Sequence, residues 1–210
     1  MSEELVIPAA CRPSVEARRQ QILDAACDCV RRAGFHGASM ADIAKAAGLS
    51  VGQIYRYFEN KEAIIAAIAD QDLAEMREKF AELEAGSETL AEAAIDRCSE
   101  GVALKYDLGR AALSLEVLAE AARNPRVAAS LQAADAKERE LGRRMLESAG
   151  LAGLGERELE ARGEVLSMLF DGMVVRAVNN PNGDKAAIGE VLRAVMQRLL
   201  GPGALLEAEA

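Results

Sequence analysis

SMADIAKAAGLSVGQIYRYFENK, residues 39–61, holds two short helix signals joined by a tight turn, with a third following at once. Ser39 with Asp42 three residues on has capping-box spacing: the hydroxyl can accept from a free backbone amide, and the acid sits where a helix N-terminus favours negative charge. Met40, Ile43, Ala44 and Ala47 recur at three- and four-residue spacing, and Gly48 stands where a left-handed residue ends a helix. Ser50 with Gln53 repeats the cap pattern, so only a sharp turn between packed helices fits after Ala47. Asn60 is a third N-cap residue, ahead of the Ala/Ile run from Ala63 to Ala69. The layout is that of a helix-turn-helix leading directly into another helix.

Counting the second helix at about 100° per residue shows which side chains leave the core. With Ile54 inward, Phe58 and Val51 lie within roughly 60° of it, and Gly52 and Arg56 point nearly opposite. Gly52, Gln53, Tyr55, Arg56 and Tyr57 form the outward face. A major groove suits that set: Gly52 permits close approach, Gln53 can pair with adenine, Arg56 can pair with guanine, and tyrosine hydroxyls can donate to phosphate. Lys61 falls in the first turn of the third helix, where the macrodipole disfavours a cation by about 0.3 to 1 kcal/mol. A phosphate at that N-terminus would account for the placement, although Glu62 beside it partly restores the balance.

These residues carry a resemblance. Residues 18 to 64, with ILDAA, GFHGAS, MADIAKAAGLS and IYRYFENKEAI in order and at the right spacing, resemble the DNA-binding domain of the TetR (AcrR-like) family of bacterial transcriptional repressors. The resemblance implies three helices, the first of them Arg18 to Ala33 with Ile22, Ala25, Cys29 and Ala33 as its apolar stripe. It implies that positions 51 to 57 enter the major groove while Ser39, Tyr55, Tyr57 and Lys61 touch the DNA backbone. The expected DNA site is therefore Ser39, Ser50, Val51, Gly52, Gln53, Tyr55, Arg56, Tyr57 and Lys61. The family often has threonine at Ser39 and histidine at Tyr57; both departures keep a hydrogen-bonding group.

Charge is distributed to match. Residues 12 to 61 hold eight Lys/Arg against five Asp/Glu, whereas residues 62 to 210 hold 17 against 27. Phosphate attracts the first part and repels the second, so binding should orient the protein and weaken with salt. Half of the 210 residues are hydrophobic, enough for a sizeable core. No apolar run reaches a membrane span and the first residues lack a signal-peptide pattern, so a cytoplasmic protein with no membrane partner is expected. Cys11, Cys27, Cys29 and Cys98 have neither disulfide-framework density nor metal-ligand spacing and read as reduced thiols, with redox sensing by Cys98 as a lesser alternative.

Beyond Asn60 the sequence reads as helix after helix, and the class is all-α. Helices are expected from Asn60 to about Leu83, from after Ser87 to about Asp107, from Arg110 to Ala122, and from Pro125 to Ser148. GLAGLG, 150–155, reads as a connector. The last two helices, about 157–180 and 185–200, are apolar too far round to be covered on one side only. The domains are thus a flexible tail over 1–13, a helix-turn-helix domain over 14–61, and a helical ligand-binding and dimerisation domain over 62–210. The resemblance assigns the last two helices to a homodimer interface, which would present two recognition helices to a palindromic operator. It also implies a small-molecule effector held among the middle helices. Phe80, Tyr106, Met145 and Phe170 are large side chains on inward stripes that suit such a cavity.

Other classes fit poorly. The single histidine, His36, has no acid or nucleophile placed to make a triad, and no metal-ligand pattern occurs, so neither an enzyme nor a cofactor is expected. Asp171 on an apolar face reads as paired with an arginine or placed at a dimer seam. A helical protein-interaction scaffold without specific DNA binding is the alternative, and its mark, repeats of 30 to 50 residues, is absent.

Overall fold

A computed structural model describes residues 13–86 and 88–206, and among these all regular structure is helical. The expected tail over 1–13, apart from Pro13, lies outside the described residues, as do Cys11 and Ser87. The chain divides into two compact units at Lys61–Glu62.

The smaller unit begins with α1, Val15–Gly37, capped by the Ser14 hydroxyl, which accepts from the Ala17 amide at 3.1 Å. It starts three residues ahead of Arg18 because that cap lies earlier than the apolar stripe. Ile22, Leu23, Ala25, Ala26, Cys29 and Val30 are buried along it. Gly34 interrupts the helix with φ 71° and ψ 169°, a conformation open to glycine, and Phe35 to Gly37 form a further turn beyond it. Ala33, expected on the buried stripe, is exposed at the end of the straight segment.

Next comes α2, Met40–Ala46, with both arms of its capping box made: Ser39 Oγ accepts from the Asp42 amide and Asp42 Oδ2 accepts from the Ser39 amide, each at 3.1 Å. It ends in a Schellman motif, with the Leu49 amide donating to the Ala44 carbonyl at 2.8 Å and the Gly48 amide to the Lys45 carbonyl at 3.1 Å. Gly48 supplies the φ of 65° that this motif needs. Then follows α3, Val51–Ile54, with a second complete box between Ser50 and Gln53. It is a single turn, shorter than the helix expected to reach Phe58.

In the larger unit, α4 (Lys61–Glu84, whose first residue belongs to the smaller unit) is followed by α5 (Leu90–Asp96), α6 (Cys98–Lys105), α7 (Leu108–Ala121), α8 (Pro125–Ser148), α9 (Glu156–Asn179) and α10 (Lys185–Leu199). The one helix expected from Ser87 to Asp107 is two. Thr89 caps α5 with a complete capping box, and Arg97, at φ −91° and ψ 12°, separates α5 from α6. That break lets α6 run along α10 with Cys98 and Val102 buried, while Ile95 of α5 is half-buried. The expected connector at 150–155 contains one 3-10 turn, Leu151–Gly153, whose first side chain is core.

One apolar cluster joins α4, α5, α6, α7, α8, α9 and α10 and includes the fully buried Val102, Leu146 and Ala177, with Met196 2% exposed. Among the buried charged residues is Arg162, 2% exposed, whose guanidinium donates to Glu158 at 2.6 Å and to the Leu199 carbonyl at 2.8 Å. It satisfies carbonyls at the C-terminus of α10 that no helix partner reaches. Glu158 in turn accepts from the Leu205 amide at 2.6 Å, so the segment after α10 is tied to the start of α9.

Candidate nucleic-acid interface

The interface is built on a helix of one turn. Ile54 and Phe58 are buried, and Val51, Gly52, Gln53, Tyr55 and Arg56 are exposed. Val51 corrects the circumference count: placed inward by its angle, it is 43% exposed. A rotation angle carries no information about position along the axis, and the first residue of a one-turn helix stands at the open end. Beyond Ile54 the backbone tightens, with the Arg56 amide donating to the Gln53 carbonyl at 3.1 Å and the Tyr57 amide to the Ile54 carbonyl at 3.0 Å. These are 3-10 bonds, so successive side chains turn by about 120° and the count from Tyr55 onward is displaced. Tyr57 is consequently half-buried, while Tyr55 is 52% exposed.

Several expected site residues already have bonding partners. Gln53 Oε1 accepts from the Ser50 amide at 2.8 Å, and Ser50 Oγ accepts from the Gln53 amide at 3.2 Å. Ser39 Oγ also donates to the Asp42 carboxylate at 2.5 Å; that bond, with the Ser39 amide, holds the Asp42 pKa below its ordinary value. Arg56 forms no hydrogen bond or ion pair with the described residues, and the residue is exposed. Lys61 extends back to the α1–α2 junction, donating to the Phe35 and Ala38 carbonyls, the latter at 2.8 Å, with its ammonium 4.2 Å from the centre of the Phe35 ring. A lysine in the first turn of α4 is thereby explained inside the domain: it is a cation at the C-terminal end of α1.

Two residues not singled out from the sequence complete the arrangement. Arg19 donates to the Tyr57 carbonyl at 3.0 Å with its guanidinium 4.4 Å from the Phe58 ring centre, and Gln21 donates to the Ala47 carbonyl at 2.6 Å. Their partners lie 38 and 26 residues away, and nothing in local periodicity marks such bonds.

In the larger unit, Tyr106 and Met145 are buried in the core cluster, with Phe80 and Phe170 packed half-buried against it. The four therefore share one core. A shallow cleft of about 220 Å³ opens elsewhere, bounded by Leu83, Gly86, Ala93, Asp96 and Arg97. Burial raises the pKa of Asp171, and the cation opposing that shift is Lys105 in place of the expected arginine. Cys98 is buried with its Sγ 3.1 Å from Met196 Sδ, and burial raises its pKa, which leaves it as thiol. The opposite stripe of α9 exposes Val165, Met168 and Val175, and α10 exposes Val191 and Val195. Among the described residues no cluster of His, Cys, Asp and Glu could hold a metal, and no helix is long and apolar enough to cross a membrane.

Residues 22–68 match the model of bacterial regulatory proteins of the tetR family, and residues 84–202 match the tetracyclin repressor-like C-terminal domain. The chain is 39% identical over 116 residues to the HTH-type transcriptional regulator UidR of Escherichia coli K12, an alignment covering 54% of this chain and 57% of that one. The chain thus spans little more than half the length of the curated relative it matches. It superimposes on Salmonella enterica GusR with TM-score 0.74 at 27% identity, covering 87% of this chain and 95% of that one. The FadR regulator of Bacillus subtilis, solved in complex with stearoyl-CoA, has the same fold, with TM-score 0.70 at 21% identity and coverage of 84% and 96%.

Proposed function

The chain belongs to the tetR family of bacterial regulatory proteins, and from that premise we propose that it is a sequence-specific DNA-binding transcriptional regulator. On this reading it acts in the cytoplasm as a homodimeric repressor released from a palindromic operator when a small molecule binds the larger unit. One observation carries the DNA-binding reading: two complete capping boxes and a Schellman turn present Val51, Gly52, Gln53, Tyr55 and Arg56 outward from a helix anchored by buried Ile54 and Phe58. Arg56 is assigned to guanine, since its donors are uncommitted and match O6 and N7. Tyr55, Tyr57, Ser39, Ser50 and Lys61 are assigned to the DNA backbone, with Gly52 and Val51 closing on the groove. Gln53 can read adenine by turning its amide out of the cap, at the cost of that bond.

The exposed stripes of α9 and α10 are assigned to a second copy of the chain, because several large apolar residues are exposed on each of these two helices and a second copy would cover them. Phe80, Tyr106, Met145 and Phe170 are assigned to the effector, whose entry would part side chains that touch one common core. Acyl-CoA binding by a relative of like fold gives no reason to prefer that effector here. Selection of duplexes from random-sequence DNA tests the reading: enrichment of a palindrome that the protein binds in a salt-sensitive way is expected, and binding indifferent to sequence would contradict it.

A further inference from the structure

We propose that Gln53 reads guanine with its amide nitrogen alone, while its amide oxygen stays in the cap of α3. The inference rests on the reading of α3 as the DNA-reading helix. Gln53 is held at three points. Its backbone amide donates to Ser50 Oγ at 3.2 Å, its carbonyl accepts from the Arg56 amide at 3.1 Å, and its Oε1 accepts from the Ser50 amide at 2.8 Å. A backbone N–H donates and a carboxamide nitrogen does not accept, so the cap itself decides which end of the side chain is held. The two ends of a planar carboxamide diverge, and Nε2 is therefore directed away from the Ser50 amide, with no partner among the described residues on an exposed side chain. Beside it, Gly52 has nothing within 4 Å of the place a Cβ would take, which leaves room for the edge of a groove to approach.

A carboxamide turned fully out of the cap pairs with adenine, donating to N7 and accepting from N6. That mode abandons the Ser50 amide inside a closing interface, and the penalty for such an unmade bond is similar in size to the discrimination the adenine pair supplies. A helix of one turn also has almost no stability of its own, so its entry depends on the Ser50–Gln53 box. With Oε1 retained, only the two hydrogens of Nε2 are left to read with. Guanine sets N7 and O6 side by side as acceptors, whereas adenine places an N6 donor beside N7, cytosine offers a donor, and thymine offers one acceptor beside a methyl group. Guanine therefore gives donor-only reading its largest gain, at a base pair other than the one assigned to Arg56.

The test selects duplexes from random-sequence DNA with the full chain as wild type, Gln53→Met and Gln53→Glu. Gln53→Met removes both polar ends and identifies the base pair that Gln53 reads, where preference should fall on the order of tenfold, the worth of hydrogen bonds of this class. That pair should be G·C in the wild-type selection, and A·T would overturn the inference. Gln53→Glu keeps an oxygen for the Ser50 amide and turns an acceptor outward, so the preferred pair should reverse to C·G as the carboxylate accepts from cytosine N4. Repulsion between that carboxylate and phosphate weakens binding to every duplex, so the readout is the preferred base and not the affinity. An unreversed G·C in Gln53→Glu would overturn donor reading. Hydrogen exchange at Ser50 in the DNA-free protein follows the cap separately: the wild-type rate is expected in Gln53→Glu and a faster one in Gln53→Met. Equal rates in all three proteins would mean that Gln53 does not hold the cap, and the inference would fall. If the wild type enriches no sequence, the DNA-reading premise falls and the inference with it. Enrichment in which Gln53→Met alters no base pair leaves that premise standing and overturns the inference alone.

Discussion

Gln53 of α3 and Arg56 in the turn that follows it are both exposed but differ in what already holds them. Gln53 is bonded to Ser50 and gives up that bond to pair with adenine, whereas Arg56 is uncommitted. Arg56→Ala is therefore expected to abolish preference at one base pair of each half-site, costing about 1 to 3 kcal/mol per contact, and titration of single-base operator variants checks it. Full retention of operator preference would remove Arg56 from the reading face. Titratable residues divide in the same way. Burial raises the pKa values of Asp72, Glu138 and Asp171, so the folded protein holds those protons more tightly than the unfolded chain does. Their contribution to stability is present below the ordinary carboxylate range, about pH 4, and is lost as pH rises through the raised values. Glu138→Gln should accordingly raise the melting temperature at pH 7 and leave it unchanged below pH 4. Glu158 runs oppositely: its pKa is held low by the Leu205 amide first, so its contribution is lost as pH falls through the lowered value.

At the scale of elements, the motif was legible because its signals are local. Ser39 with Asp42, Ser50 with Gln53, and Gly48 between them act over three to five residues, and all three are realised in the bonds formed. The extent of α3 was not legible, because a switch from α to 3-10 bonding leaves the apolar spacing of Ile54 and Phe58 unchanged. The break at Arg97 was hidden for a related reason: both sides of it are good helix, and packing of α6 along α10 decides where the bend falls. Gly48 has open space where a Cβ would stand, so Gly48→Ala isolates the backbone cost of a positive φ. A loss of about 1 to 2 kcal/mol in denaturant unfolding is expected, and a neutral result would mean that the turn relaxes. Arg162→Met should lower the melting temperature more than Arg193→Met. The first exposes buried carbonyls and an acid to an apolar group, whereas the Asp96 partner of Arg193 is on the surface, where such pairs contribute little.

For the whole molecule, the two units divide the charge as they divide the tasks proposed for them. The helix-turn-helix unit is the basic one although the chain carries a net charge of −9. All-α class and the family pattern followed from alanine- and leucine-rich periodicity and from the order of the motif. The long-range bonds of Arg19, Gln21 and Lys61, which hold the motif in shape, did not, since they depend on tertiary approach. The proposed dimer rests on the exposed residues of α9 and α10: Met168→Asp or Val191→Asp is expected to give monomers by sedimentation at micromolar concentration, and an unchanged dimer would place the interface elsewhere. The central claim is that the outward face of α3 reads sequence. Its most direct measurement is the affinity of wild-type and Arg56→Ala protein for the selected duplex and its scrambled counterpart at one fixed salt concentration. The prediction is a preference of about a thousandfold or more for the wild type, nearly lost in the variant, while binding to scrambled DNA changes little. Equal loss on both duplexes, or no preference in the wild type, would contradict it.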